Sequence, residues 1–326
     1  MKYRQFFWIC LVIFLVVMTG CRYVSVPSSG GVSVAEAARG RAVAEALNAR
    51  YKDPREKCPG DKPLYACAGV LYRAVSWSPD YYFWNNSNQG GRYDGVSFSY
   101  LQKLIGVRSS YRSQGFIIAP ASEWKPWGHG VDDRIVMFCS FAFDGMTGFP
   151  RGRTGCGKSA DVDDNQPCSE MGIDGVSSFA KHYLRHGEYR DTYDRWFGQC
   201  SFGVDWKSFL TSLLARQSGA LEPTADRYSE QVLRSWPLDR PDAVPIEAFY
   251  YDDDAKDRNT ALNEARGLQK DYFDATGRSM PILRWHASQA SMPFSFADDD
   301  QGMPGDKHFI RPPGVIPKGA GPASFH

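Results

Sequence analysis

Three places along this chain carry residue types suited to chemistry. Arg73 stands alone among Val70, Leu71, Tyr72, Ala74 and Val75. A cation in an apolar strand is costly unless it meets an anion, and a guanidinium's planar fork of donors matches phosphate oxygens. Ser97 and Ser99 alternate in the next β-rich run, so both hydroxyls are expected on one face. Glu247 opens a later run, Val244 to Tyr251. A fixed carboxylate is the group that stabilises positive charge developing on a sugar ring. Between the first two runs, Tyr81, Tyr82, Phe83 and Trp84 form an aromatic cluster that can sandwich a flat ring or latch over the core. Taken singly, each polar residue has a plainer explanation: an edge-strand arginine, a solvated serine face, an exposed glutamate.

These residues need a sheet to bring them together. The stretch from Ala66 to Tyr100 reads as two strands flanking a polar, aromatic loop, and the chain is organised around it. Phe116–Ile118, Arg134–Phe141, Val244–Tyr251 and Met280–Trp285 read as further strands. Ser33 and Glu36 form a capping box for an Ala-rich helix to about Tyr51, with Val34, Ala38, Val43, Ala46 and Leu47 near one face. Helices are expected over Gly175–Phe197, Trp206–Arg216, Ser229–Trp236 and Asn259–Thr276, the last ending at Gly277. The fold class is α+β: a mixed, mainly antiparallel β core with flanking helices.

The order arginine, Ser-x-Ser, glutamate on successive β-runs resembles the arrangement of ADP-ribosyltransferase-type enzymes. The chain also resembles the halovibrin family of secreted bacterial proteins. The stretches that carry this likeness are Leu47–Tyr51, Gly95–Leu101, Pro245–Tyr251 and Lys270–Gly277, and it covers about Leu47 to Leu283. The resemblance implies an ADP-ribosyltransferase-like fold and cleavage of the nicotinamide–ribose bond of NAD, which is a substrate and not a cofactor. Glu247 would face the oxocarbenium-like ribose and Arg73 would grip the diphosphate. Ser97 would hold the ribose or orient Glu247, with Ser99 beside it, and Trp84 would stack on nicotinamide. Two positions before the glutamate stands Pro245, where transferases that modify arginine carry a second acid. Water is therefore the simpler acceptor, with a host protein as the other.

The N-terminus reads as an export signal. Lys2 and Arg4 precede the apolar run Phe6 to Met18, which is short for a membrane span. Val17-Met18-Thr19-Gly20-Cys21 resembles a lipobox, so Cys21 is the expected lipidation site. An ordinary signal peptide with an incidental cysteine is the other reading. Residues 1–20 are then the signal, 21–32 a tether, 33–292 one globular domain and 293–326 a disordered Pro/Gly-rich tail. The product is an outer-membrane lipoprotein or a secreted protein. With Cys10 and Cys21 set aside, 8 − 2 leaves six cysteines, which permit 15 disulfide connectivities. Cys58–Cys67 closes a short loop, Cys156–Cys168 would clamp an acidic one, and Cys139–Cys200 remain; a metal site lacks supporting ligand spacing. The net charge of +1 gives no field for nucleic acid.

Two other motifs are weaker. Gly152–Ser159 meets the GxxxxGKS spacing of a phosphate loop but lacks the strand and helix that such a loop needs. His182 and His186 have zinc-ligand spacing without the usual glutamate, and are otherwise surface or groove histidines. Two rival functions follow: a non-catalytic surface lipoprotein binding a host or envelope partner through the aromatic loop and tail, or another hydrolase using one of these histidines.

Overall fold

A computed structural model describes residues 32–60, 64–75, 96–103, 112–120, 134–142, 168–185, 201–203, 206–218, 229–236, 244–289 and 291–302. The chain divides between Gly31 and Val32, and every described residue belongs to the second unit. The signal and lipobox, the aromatic loop with Trp84, Cys156, Cys200, His186 and the Gly152–Ser159 motif lie outside the described residues.

The elements, in chain order, are α1 (Val34–Lys52), β1 (Val70–Ala74), β2 (Val96–Leu101), β3 (Gln114–Ile118), β4 (Arg134–Phe141), α2 (Val176–Arg185), α3 (Trp206–Gln217), β5 (Glu230–Trp236), β6 (Ile246–Asp252), α4 (Arg258–Thr276), β7 (Ile282–Trp285) and β8 (Phe294–Phe296). The strands form one eight-stranded sheet in the order β4-β5-β2-β1-β3-β6-β7-β8. The pairs are antiparallel except β6–β7, which run parallel and are joined by α4. The fold is therefore α+β with a mixed, mainly antiparallel sheet. No helix among the described residues is long and apolar enough to cross a membrane.

Alternation along the strands gives the sheet two apolar faces. On one, Leu71, Phe116, Phe249 and Ile282 pack under α3 and α4 through Phe209, Leu213, Leu268 and Tyr272. On the other, Tyr72, Ile117, Tyr250 and Trp285 pack under α1 through Ala44, Leu47 and Tyr51. There three rings meet within 6 Å of one another: Tyr72–Trp285 at 5.3 Å, Tyr250–Trp285 at 5.5 Å and Tyr72–Tyr250 at 5.8 Å. Burial of each such side chain contributes about 1.5–3 kcal/mol.

The caps follow the sequence. The Ser33 hydroxyl accepts from the Glu36 amide at 3.2 Å, and Glu36 accepts from the Ser33 amide at 3.1 Å. Gly277, with φ +69°, closes α4 in the left-handed region, and its amide donates to the Phe273 carbonyl at 2.7 Å. Cys58–Cys67 is a disulfide. Cys168 is buried and also disulfide-bonded.

Three expectations are corrected. Ser229–Trp236 is not a helix: Glu230–Trp236 is a strand paired on both sides, with β2 and with β4, and Gln231 and Leu233 are buried at strand spacing. Long-range pairing overrides the local preference there. On α1 the buried face is Ala37, Gly40, Ala44, Leu47, Asn48 and Tyr51, while Val34 is 85% exposed. Gly40 fixes that face, since a Cβ there would lie 2.1 Å from the Phe296 ring. Finally, the domain does not end at residue 292. Phe294 is buried, and Asn48 bonds its backbone twice, donating to its carbonyl at 2.7 Å and accepting from its amide at 3.1 Å.

Candidate functional site

Glu247 sits where β6 departs from regular pairing. Ala248 is opposite Ile117 but Ile246, not Glu247, is opposite Ile118, so Glu247 is the extra residue of a β-bulge. The shift splits the alternation: Ile246 joins the core under α3 and α4, and Ala248 joins the core under α1. Bulges re-aim side chains, and this one delivers the Glu247 carboxylate to the guanidinium of Arg50, in the last turn of α1.

The Arg50–Glu247 pair is partly buried, with side chains 16% and 18% exposed. Arg50 Nη2 donates to Glu247 Oε2, while Arg50 Nε is buried with no hydrogen-bond partner among the described residues. The end of α1 is itself tied down. The Arg50 carbonyl accepts from the Gly69 amide at 2.8 Å, just before β1, and the Tyr51 carbonyl accepts from the Lys103 amide at 2.9 Å. Two of the stretches singled out in the sequence, Leu47–Tyr51 and Pro245–Tyr251, thus meet through one ion pair.

The other expected residues are distributed differently. Arg73 is opposite Phe116 in the β1–β3 pair, which puts it on the face covered by α3 and α4, whereas Glu247 reaches α1 on the other face. Arg73 and Glu247 therefore do not converge, because register fixes which way an arginine three residues into β1 must point. Ser99 is opposite Tyr72, on the α1 face, and its hydroxyl hydrogen-bonds the Tyr72 phenol. Burial raises the Tyr72 pKa, and the Ser99 bond offsets part of that rise. β2 and β6 are separated by β1 and β3, so Ser99 and Glu247 stand about 14 Å apart across the sheet, at about 4.8 Å per strand. The backbone of Ser97 pairs with Val232.

Sequence reasoning missed Arg50. The residue was visible inside the Leu47–Tyr51 stretch, beside the buried Leu47 and Tyr51. A basic residue in a last helical turn reads as dipole compensation, and nothing local announces a partner 197 residues away. His182 lies in α2. Among the described residues no group of three or more His, Cys, Asp or Glu side chains is gathered for a metal. No family model matches the chain, and a search of curated proteins returns no match.

Proposed function

We propose that this chain is an exported, ADP-ribosyltransferase-like enzyme that cleaves the nicotinamide–ribose bond of NAD, anchored through a lipid on Cys21, with water as acceptor. The observation that carries the proposal is the bulge that holds Glu247 against Arg50 at the end of α1. Such a carboxylate is aimed by the fold and still reaches solvent. When the glycosidic bond lengthens, positive charge spreads over the ribose ring, and a pre-positioned anion stabilises that state more than the ground state. Arg50 takes the role first given to Arg73. One of its nitrogens holds Glu247, and its Nε, without a partner among the described residues, is a buried donor whose desolvation costs about 1–3 kcal/mol, recoverable on binding a phosphate oxygen.

The test is nicotinamide release from NAD by the full chain. Glu247→Gln keeps the side-chain volume and removes the charge, and is expected to lower the rate by about 100-fold or more. A second reading has support from Asn48 and Arg50, which together fasten α1 to the sheet. There the ion pair is only a clamp of a non-catalytic lipoprotein. Under that reading wild type releases no nicotinamide, and Glu247→Gln changes only the melting temperature.

A further inference from the structure

The opposite end of β6 carries a denser set of ionisable groups. Tyr251 and Asp252 close the strand, Asp253 follows it, and Arg284 and His286 lie at and just beyond the end of the parallel neighbour β7. Helix α4 starts here at Arg258 and crosses from β6 to β7. The carboxyl ends of parallel strands beside a helix start are where open α/β sheets place ligands.

Within this set three side chains form a chain. The Ser295 hydroxyl lies 2.9 Å from His286 Nε2, and His286 Nδ1 lies 3.5 Å from Asp253 Oδ2. All three residues are partly exposed. An aspartate on Nδ1 favours the tautomer with the proton there, which leaves Nε2 free to accept the serine proton. Asp253 is held in turn: Arg258 Nε donates to its Oδ1, and Tyr251 Oη stands 3.3 Å from the same oxygen. Burial pushes the Asp253 carboxyl up, but the hydrogen bond and charge of Arg258, then His286, outweigh it and leave it below the usual range. Arg284 is directly opposite Ser295 in the β7–β8 pair, which sets their Cβ atoms about 5 Å apart. Its Nε and Nη2 bind Asp300 at 2.6 and 3.2 Å, and its Nη1 donates to no group among the described residues.

We infer that Ser295, His286 and Asp253 form a nucleophilic relay that hydrolyses a carboxylic ester at the edge of the sheet, a second site separate from Glu247. Ser295 Oγ attacks the ester carbonyl as His286 Nε2 takes its proton, and the carbonyl electrons move onto oxygen. Arg284 is the cation placed to meet that oxyanion. Collapse breaks the ester C–O bond, and His286 returns the proton to the leaving alcohol. Water, deprotonated by His286, then attacks the acyl carbonyl carbon; the bond to Ser295 Oγ breaks, His286 returns the proton to Oγ, and the acid leaves. Ser295 and His286 are the catalytic residues; Asp253, Arg258 and Tyr251 are positioning residues. β8 is the last strand in the sheet order, and Ser295 lies on it partly exposed among the described residues.

The experiment treats the full chain with a fluorophosphonate, which replaces fluoride by an O–P bond to an activated serine, and maps the adduct by mass spectrometry. One adduct at Ser295 is expected, absent in Ser295→Ala and formed about 100-fold more slowly in His286→Gln. Asp253→Glu is expected to recover more of the labelling rate than Asp253→Asn, which a purely structural role does not require. An unlabelled Ser295 in folded wild type, or equal labelling rates in wild type and His286→Gln, would overturn the relay. Labelling reads Ser295 alone and nicotinamide release reads Glu247, so either proposal can fail without the other.

Discussion

The two ends of β6 solve the same problem, a carboxylate near a sheet, in opposite ways. At the start, among the described residues, Glu247 has one ionic partner, Arg50, which comes from a helix 197 residues earlier and keeps an unsatisfied nitrogen. At the finish, about 20 Å along the strand at 3.3 Å per residue, Asp253 and Asp300 share Arg258, Arg284, Tyr251 and His286 in a nearly closed network. Burial, then the hydrogen bond and charge of Asp300, push the Tyr251 phenol up to about 12. The sparse end has donors to spare for a ligand. In the dense end most groups are committed to one another, and what remains available is the serine that the network points at.

The largest expected stability effect separates the two ends. Asp300 is 3% exposed and receives two bonds from Arg284 and one from Tyr251. Asp300→Ala leaves the Arg284 guanidinium without its anion, and should cost about 3–5 kcal/mol in a urea titration. A loss below 1 kcal/mol would show the network to be no tighter than a surface pair. Next comes the sparse end. A double-mutant cycle of Arg50→Met and Glu247→Gln, read by the same titration, should give a coupling of about 1 kcal/mol, since both side chains reach solvent. A coupling as large as the Asp300 effect would erase the contrast.

The smallest effect concerns two neighbours whose signs oppose. Asp253 has a lowered pKa, so its contribution is present above the unfolded value and is lost as pH falls through the folded one. Asp252 has a raised pKa, chiefly from burial, so its contribution is present below the unfolded value and is lost as pH rises through the folded one. Asp252→Asn is therefore expected to raise the melting temperature slightly at pH 7 and leave it unchanged at pH 3. The Asn oxygen can still accept from the Asp254 amide, 3.0 Å away in the native chain. A lower melting temperature at pH 7 would mean that the charge is wanted there.

Much of the fold was legible where a local cause suffices. The Ser33 cap, the Gly277 stop and the short Cys58–Cys67 loop each involve residues close in sequence, and each formed. Strands such as Phe116–Ile118 and Phe249–Tyr251 were visible because they are apolar on both faces, as burial between two helical layers requires. Glu230–Trp236 was misread because its pairing partners, β2 and β4, are remote in the chain. The site was less legible. Glu247 was visible, but a one-residue bulge chose its face, and no pattern in the sequence marks that bulge.

By itself, then, the sequence determined the local geometry of this protein and the chemical types available to it: capped helices, apolar strands, and arginines, serines and carboxylates in known order. Only the tertiary structure decided which of them meet. Glu247 took Arg50 and left Arg73 on the other face, and Ser295, in a stretch that reads as tail, came to lie against His286. The reason is physical. A hydrogen bond reaches about 3 Å, and strand register, in which a single-residue shift reverses every side chain, is set by packing between segments far apart in the chain.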